Sequence, residues 1–155
     1  MTPSRGATAA RSCPFCAIVD RTAPASVVWR DERVVGFLDL RPLFKGHVLL
    51  VPVHHVATYD ELPADVVPHL ALVTQRVQVA VQAACEADGS MLLVNNVVSQ
   101  SVPHLHQHVI PRRRGDGLRI WLGPRHPYAS VDEREEVAAR IRAALEAAGG
   151  QSASA

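Results

Sequence analysis

The apolar and polar positions of this chain change period several times, and each change predicts an element. "SVVWR" (26–30) and "VVGFLDL" (34–40) are rich in β-branched and aromatic residues and meet at Asp31 and Glu32, which predicts a hairpin with a polar tip. "GHVLLVPV" (46–53) is an almost unbroken apolar run, as expected of a strand covered on both faces. The period then shifts to three and four. Val66, Val67, Leu70, Val73, Val77, Ala80, Val81 and Ala84 predict an amphipathic helix over 64–87, stopped at Asp88-Gly89, with Pro68 tolerable only near its first turn. "MLLVNNV" (91–97) and "LHQHVIP" (105–111) predict two further strands. A short helix over 14–20 precedes the hairpin, and "SVDE" (130–133) is a capping box opening a C-terminal helix that ends at Gly149. This order predicts an α+β fold: a mainly antiparallel five-stranded sheet with a long central helix and a C-terminal helix. Residues 1–12 and 150–155 lack periodicity and are predicted to be disordered, leaving one domain over 13–149.

Length and charge narrow the function. A chain of 155 residues can bury one sizeable core. With 16 basic and 15 acidic residues it carries a formal charge of +1, which argues against a nucleic acid polymer or a membrane surface as partner and leaves room for a small anionic ligand. No apolar run approaches the roughly 18 residues of a membrane span, and "MTPSRGATAARS" lacks the apolar centre of a secretory signal, so a cytoplasmic location is expected. Three cysteines cannot all pair. Cys13 and Cys16, in "CPFC", have the spacing of a metal site or a redox pair, with two plain core thiols as the remaining reading. Cys85 falls on the apolar side of the long helix and reads as a small buried hydrophobe.

His104, His106 and His108 occupy alternate positions in "PHLHQHVIPR". On a strand they would share one face, with neighbours about 6.6 Å apart and the outer pair about 13 Å apart, whereas zinc holds each nitrogen at about 2.0–2.1 Å. One metal held by all three is therefore awkward. A division of labour fits better, with one ring lent to a metal at the cysteine pair while the others do chemistry. His47, His54, His55 and His69 are the other candidates for the fourth ligand, and spacing alone does not separate them. A neutral imidazole is a competent nucleophile toward phosphorus, and donors such as Ser99, Gln100 and Ser101, just upstream, could stabilise the phosphate oxygens. The run Arg112, Arg113, Arg114 could reach outer phosphates or be a solvated strand end; Trp121 and Tyr128 read as packing residues.

"HLHQHVI" (104–110) resembles the motif of the histidine triad (HIT) superfamily, His-x-His-x-His-x-x with x apolar, departing from it at Gln107. The likeness extends over about residues 13–112, through "CPFC", "FLDLRPLFKGHVLLVPVHH", "LLVNN" and "SQSVPHLHQHVIPR". It implies a HIT-like fold, usually a homodimer formed through the long helix and the sheet edge, that binds a purine nucleotide or nucleotide conjugate. The implied activity is a hydrolase or transferase cleaving at the α-phosphate of a phosphoramidate, dinucleoside polyphosphate or adenylylated compound through a covalent nucleotidyl-histidine. Phosphorolysis, or nucleotide binding without catalysis, are the alternatives. By motif position the resemblance implies His106 as nucleophile, His108 at the phosphate and Ser101 as donor to a phosphate oxygen or the leaving group. It implies Asp39 at the ribose, Phe15, Ile18, Leu38 and Leu40 around the base, Asn95 near ribose and phosphate, and Gln100 influencing phosphate binding. It also implies a structural zinc on Cys13, Cys16, His55 and His104. The run "NNVVSQSVPH" is short and lacks the glycine-rich turn the family often has there.

Overall fold

A computed structural model describes residues 13–119 and 125–148. The predicted disorder of the two termini, the end of the last helix at Gly149, and Trp121 lie outside them. The chain divides into two compact units, the first ending at Asp116 and the second beginning at Gly117.

In the first unit α1 (Pro14–Val19) is followed by β1 (Val27–Arg30), β2 (Val34–Leu38), β3 (Val48–Pro52), a 3-10 turn (Tyr59–Glu61), α2 (Val66–Ala84), β4 (Gly89–Val94) and β5 (Gln107–Arg112). The sheet order is β1-β2-β3-β5-β4, antiparallel at every pairing. β5 thus enters between β3 and the edge strand β4, which puts the histidine segment in the middle of the sheet.

Several boundaries differ from the expected ones. β2 stops at Leu38, because Asp39 turns the chain by accepting the backbone N–H of Arg41 on its own carboxylate (2.8 Å). β4 is shifted toward Gly89 and ends at Val94, before the asparagine pair. β5 begins at Gln107, so of the three histidines only His108 lies on the ladder; His104 and His106 precede it in an irregular stretch held by Leu105 N–H to Val56 O (2.7 Å). α2 closes at a C-cap on Cys85, which is half-buried at the helix end rather than part of the buried stripe.

The sheet is buried on both sides. On one, Val34, Val48, Leu50 and Val109 pack against Leu70, Val73, Val77 and Val81 of α2. On the other, Val35, Phe37, Leu49 and Val51 pack against Cys13, Phe15 and Cys16 of α1 and its N-cap. Each buried Val, Leu or Phe contributes about 1.5–3 kcal/mol. Arg30 pins α1 in place by donating from Nη1 to Val19 O (2.9 Å) and from Nη2 to Ile18 O (3.1 Å), carbonyls at the helix end. The β1–β2 hairpin is tied by Asp31. Its Oδ1 accepts from the N–H groups of Arg33 and Val34 (both 2.8 Å), and its Oδ2 from Trp29 Nε1 (2.8 Å) and His69 Nε2 (2.9 Å).

The second unit holds α3 (Val131–Ala147), none of whose side chains is buried. Its expected capping box is half reciprocal: Ser130 Oγ accepts from Glu133 N (3.1 Å), while Glu133 Oε2 accepts from Ala129 N (2.5 Å), one residue before the cap. Tyr128 is 53% exposed. Among the described residues no helix is long and apolar enough to cross a membrane.

Candidate active site and metal cluster

Strand register places the site. His108 on β5 faces Leu49 on β3, and Leu49 faces Phe37 on β2, so these three line one face of the sheet beneath α1. They form the floor of a cavity of about 420 Å³. Phe15, Ile18, Leu38, Asp39, Leu40, Ser101, His106 and His108 all line it, although Leu40 is 90% exposed at its mouth. Phe37, Leu49 and Arg41 also line it and were not singled out from sequence; the first two were recoverable from the register had the strand neighbours been known.

Asn95 and Gln100 are not among the lining residues. Asn95 Nδ2 donates to Ser99 O (3.3 Å), and Gln100 donates from Nε2 to Ala57 O (2.6 Å) while its Oε1 accepts from Val97 N (3.3 Å). Both amides hold the loop before the triad in shape. Without the family's glycines, that loop puts Val97 (φ 64°) and Ser99 (φ 62°) in the left-handed region, a cost for a β-branched residue that these bonds help offset.

Hydrogen bonds assign the imidazole tautomers. His106 Nδ1 lies 2.7 Å from His104 O, and a carbonyl only accepts, so Nδ1 carries the proton and the neutral ring keeps its lone pair on Nε2. The ring sits between Phe15 (centroids 5.2 Å apart) and His108 (4.9 Å). His47, a candidate metal ligand from sequence, stands instead against His108, with Nε2 2.9 Å from His108 Nδ1. Leu43 N–H donates to His47 Nδ1 (3.3 Å), so His47 Nε2–H donates to His108, and the neutral His108 carries its own proton on Nε2. Asp39 Oδ2, 3.6 Å from His47 Nδ1, is too distant to compete for that nitrogen. Burial lowers the pKa of His47, opposed by the Asp39 charge. Burial, with the neighbouring His106 and His47, holds His108 down to about 4. His108 Nε2 is a buried donor with no protein partner among the described residues, a position suited to an incoming anionic oxygen.

The second cluster joins three separate segments. Cys13 Sγ is 3.4 Å from His104 Nδ1, Cys16 Sγ is 3.5 Å from the same atom, and Cys16 Sγ is 3.3 Å from His55 Nδ1. Tetrahedral zinc with Zn–S of about 2.3 Å and Zn–N of about 2.05 Å has S···N edges of about 3.6 Å. The three S···N distances lie close to that edge, and all four donor atoms are within 4.8 Å of one another. His104 Nε2 donates to Pro52 O (2.9 Å), which turns the Nδ1 lone pair toward the sulfurs, and burial holds this ring's pKa down to about 4. Burial, then the Cys13 hydrogen bond and charge, push the Cys16 thiol up to about 12. A redox cysteine needs the opposite shift, whereas a bound dication makes both thiolates stable. His54 is exposed, and His69 is paired with Asp31. The arginine run is apart from the cavity: Arg112 is bound to Asp116 by Nε (2.5 Å) and Nη2 (2.7 Å), and Arg113 Nη2 donates to Cys85 O.

The chain is similar to several known proteins. An uncharacterised HIT-like protein of Methanocaldococcus jannaschii is 41% identical over 113 residues, covering 72% of this chain and 87% of that one. An adenosine 5'-monophosphoramidase of Candida albicans is 31% identical over 108 residues, covering 66% of this chain and 71% of the other. The crystal structure of a zinc-bound histidine triad family protein from Mycobacterium smegmatis superposes with a TM-score of 0.67 at 36% identity, over 87% of this chain and 99% of that one. The HIT domain family model matches residues 20–115, the stretch that carries every strand and all three triad histidines, and the chain belongs to the HIT family.

Proposed function

We propose that this protein is a nucleotide hydrolase or transferase that cleaves at the α-phosphate of a nucleoside phosphate conjugate, with His106 as nucleophile. The observation that carries this reading is the bond from His106 Nδ1–H to His104 O, which leaves Nε2 with its lone pair in a ring that lines the cavity. Attack by Nε2 forms an N–P bond; the bond from phosphorus to the leaving group breaks, and that group departs with the electron pair and takes up a proton from solvent, relayed through the Ser101 hydroxyl, which takes one proton in as it passes one on. In the second stage water attacks phosphorus, the N–P electrons return to Nε2, and the water proton passes to solvent. His108 Nε2–H binds a phosphate oxygen throughout, because the chain from Leu43 through His47 keeps its proton on that side. Asp39 takes the ribose hydroxyls and Phe15, Ile18, Leu38 and Leu40 enclose the base. Phosphoramidates, adenylylated compounds and dinucleoside polyphosphates all present this phosphate. Support for the first of these comes from the relative named as a phosphoramidase.

Cys13, Cys16, His55 and His104 would hold a zinc ion, and with four protein ligands its role would be structural, bracing α1 beside the catalytic stretch. A homodimer fits the exposed Leu72 and Val79 on α2 and Leu92 and Leu93 on the edge strand β4, and sedimentation at twice the chain mass checks it.

The test is His106→Asn. Turnover of adenosine 5'-monophosphoramidate should vanish while nucleotide affinity stays within about tenfold, and rapid quench of the wild type should trap a nucleotidyl adduct on His106. Turnover that persists undiminished, or an adduct on another residue, defeats the reading.

A further inference from the structure

The basic run after β5 serves a different part of the molecule from the one its sequence position suggests. A second cavity, of about 470 Å³, is lined by Lys45, Arg113, Arg114 and Asp116 with Phe44 and Pro111. It lies across the sheet from the catalytic one. Pro111 is two residues beyond Val109, which packs on the α2 side, whereas His108 faces the α1 side.

Its charge is lopsided. Of four ionised groups in the lining three are cations, and the single carboxylate is already engaged: Asp116 Oδ1 accepts Arg112 Nη2 (2.7 Å), and Oδ2 accepts Arg112 Nε (2.5 Å) and Arg113 N (3.1 Å). Among the described residues neither the Lys45 ammonium nor the Arg114 guanidinium has an ion-pair partner; Asp88 reaches only the Arg114 backbone N–H (2.8 Å). Arg113 covers the carbonyl of Cys85 and so offsets the negative end of α2, which would otherwise repel an anion. Two guanidinium forks and an ammonium around a concavity match a chain of phosphates rather than one carboxylate, because each phosphate offers oxygens to bidentate donors and adds charge.

We infer that this cavity binds a di- or triphosphate group, free or carried by a nucleotide, at a site separate from the catalytic one. Calorimetric titration of the full chain with sodium tripolyphosphate in about 150 mM salt tests this. One site per chain is expected, weakened roughly fivefold or more by Lys45→Gln or Arg114→Gln, undetectable in the double variant, and changed less than twofold by saturating AMP. Melting temperatures equal to the wild type show that these exposed substitutions leave the fold intact. Adenosine triphosphate titrated against the same variants tells whether a nucleotide's tail is accepted or only the inorganic chain. No binding at millimolar tripolyphosphate, or equal affinity in wild type and double variant, overturns the inference.

Discussion

At the residue scale the chemistry depends on where single protons sit, and His47 decides one of them. Nothing else among the described residues bonds to His108 Nδ1, so removing the His47 ring leaves His108 able to take either tautomer. His47→Ala should lower kcat by about 10- to 100-fold while KM changes little, the range seen when a group that orients a working histidine is lost; steady-state kinetics checks it, and an unchanged kcat would show that the relay is not used. Asp31 is the structural counterpart. Desolvation pushes its carboxyl up, but bonds from Arg33, Trp29, His69 and Val34 outweigh this and hold it down to about 2, against 3.8 for a free aspartate. Asp31→Ala leaves those donors unmatched and should cost about 2–4 kcal/mol, read as a fall in the urea midpoint. The signs give two windows. For Asp31 the folded chain binds the proton less readily than the unfolded one, so its support is complete above pH 3.8 and disappears as the pH falls toward 2. His108 is likewise depressed, from 6.5 to about 4, so its support is complete above 6.5 and erodes down to 4. A melting series should show loss starting below pH 6.5, with Asp31→Asn removing only the step below 3.8.

At the scale of elements, the joint between β3 and the end of α2 is unusually tight. Gly46 has φ +95°, and a Cβ there would stand 2.2 Å from Cys85 Sγ. Gly46→Ala therefore meets both backbone strain and a clash, and should cost about 2–4 kcal/mol. Cys85→Ala removes the sulfur but not the strain, so the double variant should recover about half of that loss; denaturation of all four proteins closes the cycle, and no recovery would place the whole cost in the backbone. This joint also shows what periodicity reads and what it misses. Apolar patterning found α2 and all five strands, because each buries a face at its own period, whereas α3, which buries no side chain, was legible only through its capping box. It misplaced their ends, where side chains override the pattern: Asp39 turns β2 at Leu38, and Cys85 caps α2 three residues before the expected stop. It overstated the histidine strand, since the backbone N–H groups of His104 and Leu105 go to Val102 O and Val56 O, outside the ladder.

At the scale of the whole molecule the legible part of the site was its composition, and the illegible part its partnerships. Spacing proposed that one triad ring serves a metal, and the cluster of Cys13, Cys16, His55 and His104 is compatible with that. It could not say that His47 sits against His108, which follows from β5 lying next to β3, a contact across some sixty residues of chain, or that Arg112 and Arg113 turn to Asp116 and the Cys85 carbonyl. The metal cluster has the same long reach: Cys13 and His104 are 91 positions apart, and Cys16 and His55 are 39. An ion there fixes α1, whose Phe15 ring touches both His104 and His106. Because the sheet and α2 keep their own core, losing the metal should loosen this corner rather than unfold the chain, at a cost well below the 10–16 kcal/mol that unfolds a zinc finger. Cys13→Ser should drop zinc from one per chain to near zero and lower the melting temperature by about 10 °C. Nucleotide affinity should weaken with it, since Phe15 and Ile18 wall the cavity, and chelation of the wild type should reproduce both effects. Binding needs both thiols deprotonated, and the Cys16 thiol sits near 12 without a metal, so loading should release protons and weaken steeply as the pH falls. A metal-free wild type as stable as the loaded one would mean that the two sulfurs are simply core.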